Sequence, residues 1–211
     1  MQLGNLSAIW SYPVKSLLGT PMTHAVVESD GIPGDRSTSL IVHDGHARIG
    51  KAYRGKENER LHRTGSVQTA IVWASERGVG VRAVGHEVGH DYDAAPISLI
   101  VDRWLDSLSA HVGYPVEYQR FRANFLVAAD PQFDLEEGAL IGAELRLGTV
   151  RLHVIGEIKR CVTPTYHLSD GANDPGILRY IAQKRGNAMG VYCTVLQPGD
   201  VEVGATVLRA S

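Results

Sequence analysis

Short runs of alternating or β-branched residues recur along most of the chain, and they constrain its fold more than any other feature. Glycine, proline, aspartate and asparagine bound these runs, which are typical of strands. The runs span residues 6–12, 22–29, 37–44, 66–74, 116–121, 124–129, 143–156, 189–196 and 201–209. Regularly spaced short strands favour a barrel or a sandwich over alternating βαβ units, so we predict an α+β, mainly β protein.

Two segments have the pattern of helices. In residues 98–112, three leucines and a tryptophan supply an apolar stripe. The second helix is predicted to begin at Asn173 or Asp174, since either side chain can cap it. Pro175 suits its first turn, and Gly186 can terminate it. Both helices are short, so they are expected to accompany a fold dominated by strands.

The bulk composition bounds the class of protein. A chain of 211 residues can form one large domain or two small ones. Its net charge of −2 provides no bulk positive field, so we expect neither a general nucleic-acid binder nor a membrane-surface binder. No apolar run approaches about 18 residues, and the N-terminus lacks the pattern of a signal peptide. Two cysteines are too few for a disulfide framework, so we expect a reduced, cytoplasmic protein.

The sequence "GHEVGH" places His86, Glu87 and His90 in the order H-E-x-x-H, which on a helix would suit a zinc peptidase. The residues before it alternate as in a strand, and glycines lie within and beside the segment. We therefore predict a strand that runs into a polar loop, with no zinc shared by His86 and His90. The most charged stretch, residues 51–65, is expected to be a mobile surface loop.

The two cysteines occupy different settings. Cys161 follows Lys159 and Arg160 directly and precedes Pro164, which predicts the end of a strand there. Neighbouring cations favour the thiolate, which attacks electrophiles or binds a soft metal. A buried structural cysteine is the equally weighted alternative at this point. Cys193 shares a period-two face with valines, so we predict that it packs in the core.

Three segments bring basic and hydrogen-bonding residues to predicted strand ends or strand faces: "SYPVKSLLG" at 11–19, "GIPGDRS" at 31–37 and "QRFRAN" at 119–124. In the last, Arg120, Arg122 and Asn124 are predicted to share one strand face. Each segment alone is a weak signal, because charged residues at strand ends are usually only solvated. Together they predict an anion site, since converging cations suit a phosphate. Its members would be Lys15, Ser16, Arg36, Arg122 and Asn124.

The motifs "YPVKSLLG", "GDR", "RFRAN" and "KRC" occur in the order and approximate spacing of the MOSC family, the molybdenum-cofactor sulfurase C-terminal domain proteins. The tail at 174–207 also resembles the closing helix, strand and hairpin of that family. The chain is most similar to the subgroup with an N-terminal barrel segment, which includes the mitochondrial amidoxime-reducing component. The resemblance implies a MOSC-type β-barrel with a few short helices. It also implies a single unit over 1–211, with an N-terminal segment at about 1–95 and a core at about 96–211.

The resemblance also implies roles for the site residues. Cys161 matches the catalytic cysteine that ligates molybdenum or carries sulfur as a persulfide. The cofactor-binding positions are Lys15, Ser16, Arg36, Arg122, Asn124 and Arg160. The turn after the cysteine departs from the family pattern, since it reads "TYHLSDG" at 165–171, and this puts the substrate in doubt more than the cofactor.

Three functions follow from the resemblance. The first is a molybdenum-dependent oxidoreductase that reduces N-hydroxylated or N-oxide small molecules with electrons from a separate protein. The second is a sulfur-transfer protein that uses a Cys161 persulfide and a separate sulfur donor. The third is a specialised biosynthetic enzyme that has Cys161 as nucleophile and no pterin.

Overall fold

The computed structural model describes residues 1–86 and 94–210, and strands dominate both ranges. The strands are β1 Gln2–Ser11, β2 Thr20–Met22, β3 His24–Val27, β4 Thr38–Gly45, β5 Val79–Gly85, β6 Ile97–Val101, β7 Phe125–Ala129, β8 Glu144–Leu147, β9 Val150–Lys159, β10 Ala188–Gln197, β11 Gly199–Glu202 and β12 Thr206–Arg209. The α-helices are α1 Val67–Ser75, α2 Asp102–Val112 and α3 Pro175–Lys184. Short 3-10 helices span Glu59–Arg63, Tyr118–Phe121, Glu137–Leu140 and Thr163–Thr165.

Within the described ranges, seven strands close into a barrel in the order β12-β8-β9-β10-β6-β7-β1, and β1 pairs back onto β12. All of these pairings are antiparallel except that of β6 with β7. Burial alternates along β9, where Val150, Leu152 and Val154 point into the barrel and Arg151 and Ile155 point outward. The prediction of a mainly β barrel with a few short helices is confirmed.

Strand β1 holds the barrel closed because it pairs with three partners, β2, β7 and β12. Its register shifts between Leu6 and Ala8, which bends the strand from one neighbour toward the next. At Gly4 the backbones approach so closely that a Cβ atom would lie 1.9 Å from the carbonyl oxygen of Ala128. A glycine is therefore required at this crossing.

Beside the barrel core, a second apolar cluster joins the β4–β5 hairpin to α1 and to the segment at 53–61. Tyr53 and Leu61 are buried in this cluster, and Asn58 beneath them is fully buried. The expectation of a mobile surface loop over 51–65 is therefore wrong. The interspersed apolar residues anchor the segment, and this packing brings it to the edge of the site described below.

Three local predictions are corrected. Residues 66–74 form α1 rather than a strand, because the Ser66 side chain caps the helix and Ala70 and Ala74 pack on one helical face. Residues 97–101 are a fully buried strand, so the helix predicted over 98–112 begins at Asp102. Residues 118–121 form a 3-10 helix, so Arg120 and Arg122 do not share a strand face.

The segment around the H-E-x-x-H sequence is described only in part. Strand β5 runs to Gly85 as predicted, and the Nε2 atom of His86 lies 3.2 Å from the hydroxyl of Ser39. Glu87 and His90 lie outside the described residues, and with them the prediction about a shared zinc. Across 1–86 and 94–210, no helix combines the length and the apolar character needed to cross a membrane.

Replacing Gly4 with alanine should destabilise the protein by about 2 kcal/mol or more, because the added methyl group overlaps the backbone of β7. Gly156→Ala is the matched control, since a Cβ atom at that strand position meets nothing within 4 Å. Urea unfolding of both variants measures the difference. Equal stabilities for the two variants would contradict the account of barrel closure.

Candidate functional site

A cavity of about 340 Å³ opens at one end of the barrel, between the barrel and the segment at 54–62. It is lined by Lys15, Ser16, Arg36, Arg54, Gly55, Lys56, His62, Ser98, Arg120, Phe121, Arg122, Ile158, Lys159, Arg160, Cys161, Thr163, Pro164 and Tyr192. The structure thus brings together Lys15, Ser16, Arg36, Arg122, Arg160 and Cys161 from distant parts of the sequence. Asn124 is the predicted site residue that does not line the cavity.

The cavity wall is strongly positive although the whole chain carries a net charge of −2. Eight of the lining residues are lysine or arginine, and none of the lining residues is acidic. Charges of one sign around a concave, partly dehydrated surface raise the local concentration of ions of opposite sign. The geometry therefore favours an anionic ligand.

The N-terminal wall is made by turns in an unusual backbone conformation. Ser16, Arg36 and Arg122 have φ values of 69°, 50° and 55°, in the left-handed region that residues other than glycine rarely adopt. Two backbone hydrogen bonds hold these turns. Lys15 N donates to Thr38 O at 2.8 Å, and Arg36 N donates to Tyr12 O at 2.7 Å. Such backbone strain persists only where surrounding contacts enforce it, and it concentrates at functional sites.

Asn124 lies behind this wall, fully buried, rather than in it. Its Oδ1 atom accepts from the backbone N–H and the hydroxyl of Ser98, at 3.1 and 2.8 Å, and more distantly from Arg36 at 3.4 Å. Its Nδ2 atom donates to Trp10 O and to Asp35 Oδ2, both at 3.2 Å. The prediction that Asn124 binds the ligand directly is therefore corrected: this amide positions Arg36 and Ser98, which do line the cavity.

Arg36 and Arg122 are held from behind by the protein. Arg36 pairs with the buried Asp35 carboxylate and donates to the Arg122 carbonyl oxygen at 3.0 Å. Arg122 donates to the Leu17 carbonyl oxygen, and its guanidinium lies 4.4 Å from the centre of the Tyr12 ring. Both guanidinium groups are thus fixed in place before any ligand arrives, which lowers the entropy cost of binding one.

Arg160 is fixed in a similar way on the barrel side. Its Nε atom donates to Met189 O at 2.7 Å and its Nη1 atom to Phe121 O at 2.8 Å. Its Nη2 atom is buried without a hydrogen-bond partner. Burial lowers the pKa of Arg160 to about 10, against the opposing influence of Tyr192 and Cys161. The group therefore stays charged at neutral pH and has a free donor at the cavity wall.

Cys161 lies just beyond the end of β9 and is exposed. Its thiol is 3.2 Å from the hydroxyl of Thr163, at the start of the 3-10 helix that contains Pro164. The alternative of a buried structural cysteine is therefore wrong. Cys193 is fully buried, and burial raises the pKa of its thiol to about 12, so its predicted place in the core is confirmed.

The segment at 54–62 supplies site residues that the sequence did not reveal. Arg54, Lys56 and His62 line the cavity, and a side chain at Gly55 would collide with the His62 ring, since a Cβ atom would lie 1.7 Å from Nε2. The apolar residues Tyr53 and Leu61 within the charged stretch could have indicated that it packs against the protein, because both are buried and anchor it near its two ends.

His62 is buried and uncharged. Desolvation lowers its pKa to about 3, the charge of Arg122 acts in the same direction, and the nearby Ser16 backbone opposes both. Neither ring nitrogen has a partner of normal hydrogen-bond geometry. The imidazole can therefore offer a neutral donor and a neutral acceptor to a ligand.

Arg63 fastens this segment to the loop that follows Cys161. Its guanidinium donates to the carbonyl oxygens of Leu168, Ser169 and Asp170 at 3.3, 2.7 and 3.0 Å. These contacts link two parts of the chain about a hundred residues apart, one on each side of the cavity. The departure from the family pattern at 165–171 therefore falls in a loop that Arg63 holds in place.

A family model described as the MOSC domain matches residues 86–208, more than half of the chain, so the chain belongs to the MOSC domain family. This family is associated with molybdenum-cofactor binding. No curated protein matches the sequence.

Two solved structures are similar to this chain. The crystal structure of the YUAD protein from Bacillus subtilis is similar over 98% of this chain and 94% of that chain, with a TM-score of 0.54 and 16% identity. YiiM from Escherichia coli is similar over 98% of this chain and 70% of that chain, with a TM-score of 0.46 and 13% identity. The similarity to the YUAD protein supports the assignment of the fold. At 16% identity it supports the fold alone and no shared function.

The residues of the cavity fit a phosphate-bearing, thiolate-ligated molybdenum cofactor. The guanidinium nitrogen Arg160 Nη2 is buried without a partner, and an accessible thiol lies in the same wall. Anionic oxygens satisfy such donors, and a soft metal accepts a thiolate. In the part of the chain that the structure describes, no group of three or more His, Cys, Asp or Glu side chains could hold a metal ion. Among the residues that line the cavity, Cys161 is the thiol that would serve as a soft ligand for such a metal.

The neutral state of His62 predicts a pH dependence of folding. Its folded pKa of about 3 lies below its unfolded value, so the unfolded chain binds the extra proton as the pH falls below about 6.5. Stability should therefore fall with pH at up to about 1.4 kcal/mol per pH unit from this group alone. His62→Gln should flatten the slope measured by urea unfolding between about pH 6 and pH 4. The exposed His46→Gln is the control, and equal slopes in the two variants would refute the assignment.

Proposed function

We propose that this protein binds a molybdenum cofactor in the cationic cavity, with Cys161 as the thiolate ligand, and reduces N-hydroxylated or N-oxide small molecules. In this respect it would resemble the mitochondrial amidoxime-reducing component. The observation that carries the proposal is the accessible thiol in a wall of eight basic residues, one of which, Arg160, has a buried guanidinium nitrogen without a partner. Membership of the MOSC domain family supports the same conclusion.

In this proposal the N-terminal wall holds the phosphate of the cofactor. Lys15, Ser16, Arg36 and Arg122 supply cationic and hydroxyl donors from turns whose backbone is already fixed. Asn124 supports Arg36 from behind. Because these groups do not reorganise on binding, a dianion gains charge-assisted hydrogen bonds at a small entropy cost.

Cys161 and Arg160 form the reactive side. The Cys161 sulfur opposes the effect of burial on the Arg160 pKa, and Thr163, 3.2 Å from the sulfur, fixes its direction. When bound, the cofactor supplies the two-electron redox chemistry, and the chain supplies binding, orientation and charge. The net reduction consumes two electrons and two protons per N–O bond, and in this proposal a separate electron-transfer protein supplies the electrons.

The direct test is elemental analysis for molybdenum, with pterin fluorescence, on protein made in a host that synthesises the cofactor. Wild-type protein should contain both molybdenum and pterin. Cys161→Ser should fold normally, because the residue is exposed, and should lose molybdenum and reductase activity, because a hydroxyl is a hard and weakly acidic ligand.

Cys193→Ser is the matched control. It should retain molybdenum but unfold more easily, by about 1–3 kcal/mol, because it places a hydroxyl in the apolar core. Full activity in Cys161→Ser would refute the proposal. Wild-type protein that carries a persulfide on Cys161 and no molybdenum would instead identify a sulfur-transfer protein, and a reactive Cys161 with neither would identify the pterin-free enzyme.

A further inference from the structure

Arg120 is a buried cation that the cofactor site described above does not use. Its side chain is 0% exposed, yet it lines the cavity. Its Nε atom donates to Pro164 O at 2.7 Å, and its Nη1 atom lies 3.4 Å from Glu117, whose side chain is 42% exposed. Its Nη2 atom is buried without a hydrogen-bond partner.

The side chains of Arg120 and Arg122 contact different walls of the cavity although the two residues are only two positions apart in the sequence. Arg122 contacts Leu17 and Tyr12 on the N-terminal side. Arg120 instead contacts Pro164, in the turn that carries Cys161. The 3-10 helix at 118–121 and the left-handed backbone at Arg122 produce this divergence. Arg120 therefore belongs to the wall that contains Cys161, away from the groups assigned to the phosphate.

A buried guanidinium with a free donor is costly unless an acceptor reaches it, and the acceptors that match its planar geometry best are carboxylates and other oxyanions. Arg160 Nη2 adds a second such donor in the same cavity. Glu117 balances the Arg120 charge only in part, because it is half-exposed and its contact is long. Tyr114 and Asp174 also interact electrostatically with Arg120.

We propose that Arg120, together with Arg160, forms an oxyanion subsite beside Cys161 that selects substrates bearing a carboxylate near the N–O group. The identification of the ligand as a substrate depends on the function proposed above. The subsite itself does not depend on it, since carboxylate binding is measurable on protein without cofactor.

The binding test compares benzoate with benzamide, which have similar shapes but differ in charge, by calorimetry on cofactor-free protein. Wild-type protein should bind benzoate at least about tenfold more tightly, which corresponds to about 1.4 kcal/mol. Arg120→Gln should abolish this preference, and Arg120→Lys should retain part of it, because the lysine keeps the charge but loses the planar donors. Thermal unfolding of each variant verifies that it is folded.

Lys159→Gln is the control for charge alone. It removes the same charge from the same cavity, but Lys159 is 60% exposed and already pairs with Glu157 at 2.8 Å. It should leave the preference for benzoate nearly unchanged. Equal losses in Arg120→Gln and Lys159→Gln, or no preference in the wild-type protein, would overturn the subsite.

The activity test uses benzohydroxamic acid and its 4-carboxy derivative on protein that contains the cofactor. Arg120→Gln should raise KM about tenfold for the carboxylated compound only, with kcat unchanged, because the lost contact is made equally in the ground state and the transition state. An equal KM change for both compounds would overturn the proposed selection. Absence of cofactor would refute the proposed function, while the benzoate result would still decide the subsite.

Discussion

The side chain of Asn124 is the contact on which the site depends. This one buried amide accepts from Ser98 at the start of β6, donates to Trp10 in β1 and donates to the buried carboxylate of Asp35. Its backbone leads directly into β7. Three barrel strands are therefore fixed relative to one another at the end where the cavity opens. Because Asp35 in turn pairs with Arg36, the same network sets the position of a cation in the cavity wall.

Function and stability conflict in this cavity. The buried guanidinium groups of Arg120 and Arg160 each have a nitrogen without a partner, which costs free energy in the folded protein. The positive φ values at Ser16, Arg36 and Arg122 add a second cost. The large apolar core of the barrel and the closed ring of strands offset these costs. A ligand that brings negative charge would satisfy the free donors, so its binding should also stabilise the fold through linkage.

The sequence predicted those features that depend on local pattern. Strand character over 143–156 was recognisable because residues that face into and out of the barrel must alternate, as they do along β9. The single run predicted there is in fact two strands, β8 and β9, which pair as an antiparallel hairpin. The basic segments at Lys15, Arg36 and Arg122 and the thiol at Cys161 were recognisable because their chemistry is explicit in the residue types. The boundary between β6 and α2 was not recognisable. The strand at 97–101 is continuously apolar and runs directly into the helix, so no change of hydrophobic period marks where the strand ends.

The remaining features depend on contacts between distant segments. Val67, Ile71 and Trp73 have strand propensity, and the Ser66 cap together with packing on the β4–β5 hairpin makes their segment a helix. The position of His62 depends on the burial of Tyr53 and Leu61, which the charged residues around them obscured. The structural role of Asn124 requires three strands to meet, and no window of sequence contains all three.

The central claim is that Cys161 binds molybdenum within the cavity. X-ray absorption at the molybdenum edge tests it most directly, on protein purified from a host that makes the cofactor. We expect the wild-type spectrum to contain a thiolate sulfur that is absent in any residual molybdenum of Cys161→Ser and present in Cys193→Ser. Identical sulfur coordination in wild-type protein and Cys161→Ser, at equal molybdenum content, would contradict the account.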